Sequence, residues 1–444
     1  MTAVHLHGPL DRNFAWDAGG ICQDVDFRPG AELPRGLRGA MAAVQPGPGG
    51  SWRVARDQLG INKLFWARDA DGSIAMAARP RRLIDQGYPL QQIAAVPRGC
   101  VVDLDPAASE SAQHSIVPAW WSSAGRAARL SPEAAGQRVR SAIDGYLAAV
   151  ASAHAHAKLF VCLSGGLDSS SIAALACQHV DEVVGVSFDL RRQPGRASED
   201  RVMAQRLARD LGMPLLEVTV DEDELFQHLD TVLLEGIDWR DFNVHAALVN
   251  AALAAAIDGA LADHNRSGPV LVLTGDLANE FLVDYQPEQY RGATYYALPR
   301  LSTPALRASL IRGLDSCHRE VGVFAAWDLT VVQPYAVAVD AYLRLDADFL
   351  GVEDRKQQLC QQVVGSLLPG YIYSRSKARA QIGGAGGDGG VLGACVDRGI
   401  DSAWLRRRFA ELHDVDDPRI LNRFVRAGCY RSAVPSLTGD ALAT

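Results

Sequence analysis

The sequence predicts an α/β protein in two parts, an antiparallel β-rich first part and then a doubly wound parallel sheet. Three observations carry this. From about Pro132 onward, apolar strand-like segments alternate with long helical patterns, as in parallel strands joined by helices. Before about residue 105 the segments are short, alternating in polarity and separated by glycines and prolines, as in antiparallel strands joined by tight turns. Between them in kind stands LFVCLSGGLDSS, an apolar run that stops abruptly at glycines, hydroxyls and one carboxylate before helix formers resume.

In the first part the alternation places strands over residues 51–54, 64–67 and 74–78, with Asp69-Ala70-Asp71-Gly72 as a turn between the last two. A helix is expected over residues 133–154, then strands over 159–163, 183–189, 215–220 and 270–274. Residues 113–131 read as the linker. From about Asp340 the pattern is mostly helical, interrupted by the glycine-rich residues 383–390, read either as a mobile lid over a site or as a disordered connection.

Composition narrows the function. A chain of 444 residues has room for two domains, and 48% hydrophobic with 22% charged residues is a globular balance. The net charge of −8 argues against nucleic acid as a partner, and Arg406-Arg407-Arg408 beside Glu411 reads as a solvated helix face. The first residues lack the basic flank and apolar core of a secretory signal. The alanine-rich residues 246–262 carry Asn250 and Asp258, too polar for a bilayer span, so a cytoplasmic protein with no membrane partner is expected. Eight cysteines scattered singly, without metal-ligand spacing, fit reduced thiols.

Ligands of parallel sheets bind beyond the carboxyl ends of the strands. Two such ends carry suggestive chemistry. After the first, Ser164, Gly165, Gly166, Leu167, Asp168, Ser169 and Ser170 form a turn whose glycines let backbone N–H groups approach an anion and whose helix offers its positive end. The spacing is neither a Walker A loop nor a dinucleotide fingerprint. Hydroxyls and N–H groups here suit a pyrophosphate, and Asp168 supplies an oxygen for Mg²⁺. After the second, Thr274-Gly275-Asp276-Leu277-Ala278-Asn279-Glu280 brings Asp276, Asn279 and Glu280 toward the same metal. The alternative for both is a pair of helix N-caps, which the length of the first run disfavours.

SGGLDSS resembles the signature of the PP-loop ATP pyrophosphatases, and its setting resembles the asparagine synthetase and β-lactam synthetase family. TGDLANE is similar to that family's second motif. Lys356, Leu368-Pro369 and Arg375-Ser376-Lys377 follow in the family's order, and Gln333-Pro334-Tyr335 resembles its Val-Pro-Phe segment. Residues 54–68 and 77–84 resemble the family's glutamine amidotransferase half. The resemblance implies an Ntn-like β-sandwich, here reduced and degenerate, over residues 1–115, and an ATP-dependent synthetase domain over 132–432.

Departures matter as much. The family's glutaminase uses cysteine at position 2, where this sequence has Thr2, so a vestigial scaffold is expected. β-Lactam synthetases and lasso-peptide cyclases share that loss and use an amine already on the substrate. β-Lactam synthetase places a tyrosine at the position of Asp276, working with a glutamate after the Pro-Tyr segment; here only Asp340 follows. Asn279 replaces the usual metal-binding aspartate.

The implied reaction is carboxylate adenylation by ATP, followed by attack of an amine to give an amide, AMP and pyrophosphate, in natural-product biosynthesis such as that of an antibiotic. Expected roles are phosphate holding for Lys356, transition-state charge for Lys377, amine orientation or deprotonation for Asp276, and Mg²⁺ on Asp168, Asp276 and Asn279. Leu163, Phe188 and Gly275 stand where the family holds adenine, and Thr274 joins them. Glu199-Asp200 resembles the family's acidic pair at a helix start, or complements a helix dipole alone. The expected substrates are a small molecule or peptide bearing a carboxylate and an amine, with a homodimer or proteins of a biosynthetic cluster as partners. An ammonia-dependent, asparagine synthetase-like amidation and a non-catalytic nucleotide-binding protein are the alternatives.

Overall fold

The computed structural model describes residues 4–17, 20–22, 37–47, 50–105, 115–118, 128–193, 195, 197–262, 268–375, 379–385, 389–417 and 421. Its second part is built on a five-stranded sheet, every neighbouring pair parallel, in the spatial order Leu215–Val220, Val183–Leu190, Lys158–Cys162, Val270–Leu273, Thr330–Val332. The first four are the strands expected from the sequence, to within a residue at each end. The fifth was not anticipated, because three residues before Gln333-Pro334 are too few to show a period.

That order places the functional crevice. The chain starts in the centre at Lys158–Cys162, works outward to Leu215–Val220, then crosses back to Val270–Leu273 on the other side of the start. The switch point therefore lies between two neighbouring strands whose carboxyl ends carry SGGLDSS and TGDLANE, with Phe160 paired to Val272 across them. The central strands are buried on both faces, which is why they read as continuous apolar runs: Val270–Leu273 is VLVL, all four residues buried, whereas the edge strand Leu215–Val220 exposes Glu217. The helix Asp241–Ala262 is long and apolar enough to cross a membrane. Most of it is instead buried within the protein, where it packs on the Val183–Leu190 and Leu215–Val220 strands.

Among the described residues the first part forms two four-stranded sheets and one of three strands. Val54, Val102 and Leu104 of one four-stranded sheet pack with Ile74 and Met76 of the other, making the expected sandwich. One pairing departs from the antiparallel expectation: Val4–Leu6 runs parallel to Ile74–Ala77. Part of the expected linker is also a strand, since Ser115–Pro118 pairs with Cys100–Leu104 and its Ser-Ile-Val-Pro suits a sheet edge. The two parts share one core: Phe14, Trp16, Leu59 and Phe65 belong to the same buried cluster as Val139, Tyr146 and Val161. Charge also crosses the junction, where buried Arg79 binds Asp11 bidentately at 2.9 Å and Glu235 of the second part at 2.7 Å.

Candidate active site

The strand Lys158–Cys162 gives way to a turn closed by its own hydroxyls. Gly166 N donates to Ser164 Oγ at 3.2 Å, Ser169 Oγ donates to the Gly166 carbonyl at 3.2 Å, and the two hydroxyls are 3.1 Å apart. Gly165 has φ +67°, and a Cβ there would lie 2.5 Å from Met203 Cβ, so only glycine fits. Gly166 is the N-cap of the helix Leu167–Ala176 and no side chain caps it. The helix Ala278–Leu282 after the second motif likewise has no side-chain cap. The N-cap reading of both motifs therefore fails, and no side chain takes up the first-turn N–H groups of Leu167–Ala176, whose Leu167, Asp168 and Ser169 line the crevice.

The two motifs touch. A Cβ on Gly275 would lie 2.6 Å from Ser169 N, so the second loop abuts the first only because residue 275 is glycine. Beyond it Leu277 and Val283 take φ of +84° and +58°, strained for side chains of their kind, and bracket a helix of only five residues. This sharp double turn sends Asp276 one way and Asn279 with Asp284 the other.

A cavity of about 230 Å³ opens over the switch point. Leu163, Ser164, Gly166, Leu167, Asp168, Ser169, Phe188, Thr274, Gly275, Asp276, Asn279 and Lys356 all line it. Gly165 and Ser170 do not: Gly165 faces the helix that carries Met203, and Ser170 is fully buried. Lys377 lies outside the described residues.

Three charged groupings divide the cavity. In the first, the Lys356 ammonium donates to Asp168 Oδ2 at 2.7 Å, Asn279 Oδ1 at 2.6 Å and Asp284 Oδ2 at 2.8 Å. Burial opposes its charge, but Asp168 and Asp284 outweigh burial and hold its pKa above the ordinary lysine value. Asp284 was missed in the sequence because it falls four residues past the motif.

In the second, Asp276 is buried. Burial first and then the Glu320 carboxylate raise its pKa, to about 7, against the pull of Arg319. Glu320 and Arg319 line the cavity beside it and come from His318-Arg319-Glu320, which forms no motif. Arg319 also holds Glu280 at 3.2 Å and Asn243 at 2.7 Å, so Glu280 faces away from the metal position expected of it. Asp340, the acid expected after the Pro-Tyr segment, instead pairs with Arg38 at 2.5 Å, half exposed and outside the cavity lining.

The third grouping joins Arg375 to the loop at Ser164. It donates to the Ser164 carbonyl at 2.8 Å and pairs with Asp200, which is buried and whose pKa burial pushes up to about 6 despite that partner. Glu199 of the same acidic pair is largely exposed.

Oxygen donors around Lys356 suit a hard cation. Asp168 Oδ1 is buried with no partner among the described residues, and Asp168, Asp284 and Asn279 already converge on one positive charge. The set therefore fits Mg²⁺ held by one or two carboxylates together with phosphates. Asp276 belongs to the Glu320 and Arg319 grouping, and among the described residues no three acidic, histidine or cysteine side chains form a metal cluster.

The described part of the glycine-rich segment is packed. Leu190 N donates to the Gly384 carbonyl at 2.7 Å and Ala385 bridges to Leu190, at the carboxyl end of the Val183–Leu190 strand. A Cβ on Gly384 would lie 2.7 Å from the Phe188 ring and one on Gly390 2.4 Å from the Gln381 carbonyl. These glycines serve close approach, a use neither sequence reading included.

Residues 147–327 match the asparagine synthase family. The match takes in both loops at the switch point and covers less than half of the chain. The match supports ATP-dependent chemistry of the adenylating or amide-forming kind. Among solved structures, the chain is similar to an NMN synthetase from Francisella tularensis, at 14% identity over 64% of this chain and 94% of that one, TM-score 0.30. It is also similar to an NH3-dependent NAD synthetase from Campylobacter jejuni in complex with nitrate, at 17% identity over 34% and 61%, TM-score 0.24. No curated protein matches the chain.

Proposed function

We propose that the protein is an AMP-forming amide ligase or cyclase of natural-product biosynthesis, acting in the cytoplasm on an acid and an amine carried by small-molecule or peptide substrates. The observation that carries this is the meeting, in one cavity, of an uncapped PP-loop helix, a lysine held by three oxygens, and a buried acid whose pKa stands near neutrality.

In the first step a substrate carboxylate oxygen bonds to the α-phosphorus of ATP and the bond to the β-phosphate bridging oxygen breaks. The hydroxyls of Ser164 and Ser169 and the first-turn N–H groups hold the pyrophosphate. Asp168, Asp284 and Asn279 would hold Mg²⁺, which supplies charge neutralisation when bound. Lys356 then turns toward phosphate. Arg375, whose Nε makes no hydrogen bond among the described residues and lies 3.7 Å from Glu199, adds a second cation on that side. Lys377, two residues on, is proposed to stabilise the charge developing at the reacting carbonyl.

In the second step the amine nitrogen bonds to the activated carbonyl carbon and the bond to AMP breaks. Asp276 takes the proton shed by the nitrogen, and the adjacent Glu320 keeps that proton acceptor basic near neutral pH. Ala246, Val249 and Leu253, on one face of the Asp241–Ala262 helix, give the cavity an apolar wall that suits an acid with an apolar body better than aspartate.

The test is to measure AMP, pyrophosphate and amide with a panel of acids and amines. AMP and amide in equal amounts are expected, and Asp168→Ala should abolish pyrophosphate release. Formation of ADP and phosphate refutes the reading. Full turnover with aspartate and ammonium alone would favour the ammonia-dependent amidation.

A further inference from the structure

The cavity wall that includes Phe242 and Tyr285 carries a guanidinium that no part of the reaction above uses. Arg379 lies over three aromatic rings, 5.2 Å from the centroid of Phe242, 5.1 Å from Tyr285 and 5.4 Å from Tyr296. Such stacking fixes the plane of the fork while leaving its edge free to bond. The scaffold behind it is itself fixed: Tyr296 is fully buried and its hydroxyl is 2.6 Å from His245 Nδ1. One arm of the fork, Nη2, donates to the Gln286 carbonyl. The other, Nη1, is buried and has no hydrogen-bond partner among the described residues.

A buried guanidinium N–H without an acceptor is costly, so its persistence on a cavity wall points to an acceptor that arrives with a ligand. Glu288 lies near enough for Arg379 to lower its pKa, against the larger raising effect of burial, but it leaves Nη1 without a bond. The cavity's other cations are engaged elsewhere. Lys356 and Arg375 are bound to the PP-loop, and Arg319 is spent on Glu280, Glu320 and Asn243.

We infer that Arg379 is a substrate-recognition residue that binds an oxyanion, a second carboxylate of the acid substrate distinct from the one that is adenylated. The two acidic functions of the substrate are then held separately, the reacting carboxylate toward the PP-loop and the recognised one on the Arg379 fork. This deepens the proposed function and rests on it for the reacting end alone. The same chemistry has a second source, a phosphate of ATP, and the experiment separates them.

The experiment is calorimetric titration of the full-length protein with the straight-chain dicarboxylates from succinate to suberate, each beside its half-amide, and separately with ATP and Mg²⁺. At least one dicarboxylate should bind tenfold or more tightly than its half-amide. In Arg379→Met that ratio should fall below about twofold with ATP affinity unchanged, and Arg379→Lys, which keeps the charge but loses the fork, should retain part of it. Loss of ATP affinity in both variants with the ratio intact would make the oxyanion a phosphate and overturn the assignment to substrate. Failure of every dicarboxylate to outbind its half-amide would overturn the site. Because the titration needs no turnover, it stands apart from whether AMP is formed.

Discussion

The Lys356 ammonium sits 2.7 Å from Asp168 Oδ2 and 2.8 Å from Asp284 Oδ2, in the place where the carboxylates would otherwise face each other. Lysine and Mg²⁺ thus draw on the same oxygens, and Mg²⁺ with ATP is expected to push the ammonium toward phosphate. Lys356→Met should therefore leave two largely buried carboxylates without their counter-charge and lower stability by about 3–5 kcal/mol. Added Mg²⁺ should then raise the melting temperature of the variant more than that of the wild type, since the oxygens are vacated. An equal response in both, measured by thermal denaturation, would show that Lys356 does not compete for the metal ligands.

Asp276 predicts a pH profile. Its pKa is raised to about 7, first by burial and then by Glu320, so the proton-accepting form grows as pH rises through 7 and the turnover rate should rise with it. Glu320→Gln removes the like charge and should move this limb to lower pH. Asp276→Asn should erase the limb and slow turnover by roughly 10²–10⁴-fold. The folded-state pKa lies above the unfolded value, so this group's contribution to stability is present at acid pH and is lost as pH rises through 7. Glu320→Gln should soften that loss. A rate limb that does not move in Glu320→Gln would separate the two carboxylates functionally.

What the sequence made legible follows from which signals are local. The parallel strands announced themselves as apolar runs, and SGGLDSS as a run of turn chemistry after one of them. The fifth strand, three residues long, had no length over which a period could show. Asp284, Glu320 and Arg379 reach the cavity from a residue past a strained turn, a loop before a short helix, and an arginine following the Arg-Ser-Lys motif. Each lies beside a recognisable feature but outside its pattern, and only the folded chain brings them to the same space. Asp340 was misplaced for the converse reason: sequence proximity to Gln333-Pro334-Tyr335 suggested the cavity, whereas its partner Arg38 lies in the first part, more than three hundred residues away in the chain. The glycine-rich segment was read through flexibility, while Gly384 and Gly390 are needed for contact distance.

The junction between the two parts is testable through Arg79. Arg79 and Asp11 are both about 4% exposed, and Glu235 ties the pair to the second part. Arg79→Ala would strand a buried Asp11 and cost about 3–5 kcal/mol, whereas Glu235→Gln, at a more exposed position, should cost far less. Chemical denaturation measures both. Because one core runs through both parts, the loss should appear in a single unfolding transition. Two separate transitions, with only the first shifted in Arg79→Ala, would mean that the parts fold independently.

The last prediction concerns Gly384, where close packing and ligand binding meet. A Cβ at this position would lie 2.6 Å from the Ala380 carbonyl and 2.7 Å from Phe188 Cδ1, and both Gly384 and Phe188 line the cavity. The ring has little room to yield, since Phe188 is 6% exposed, so the added methyl must displace the 380–385 segment from the end of the Val183–Leu190 strand. Two consequences should then appear together. The hydrogen bond from Leu190 N to the Gly384 carbonyl is lost, which should speed amide hydrogen exchange at Leu190. The wall of the cavity that Phe188 forms also shifts, which should weaken ATP binding by about tenfold while leaving the fold intact. Gly212→Ala is the control: φ there is +67° and nothing lies near the new Cβ, so it should cost some stability but leave ATP binding alone. If Gly384→Ala binds ATP like the wild type while Leu190 exchanges faster, then the segment caps the end of the Val183–Leu190 strand without shaping the nucleotide side of the cavity, and Phe188 contacts something other than ATP.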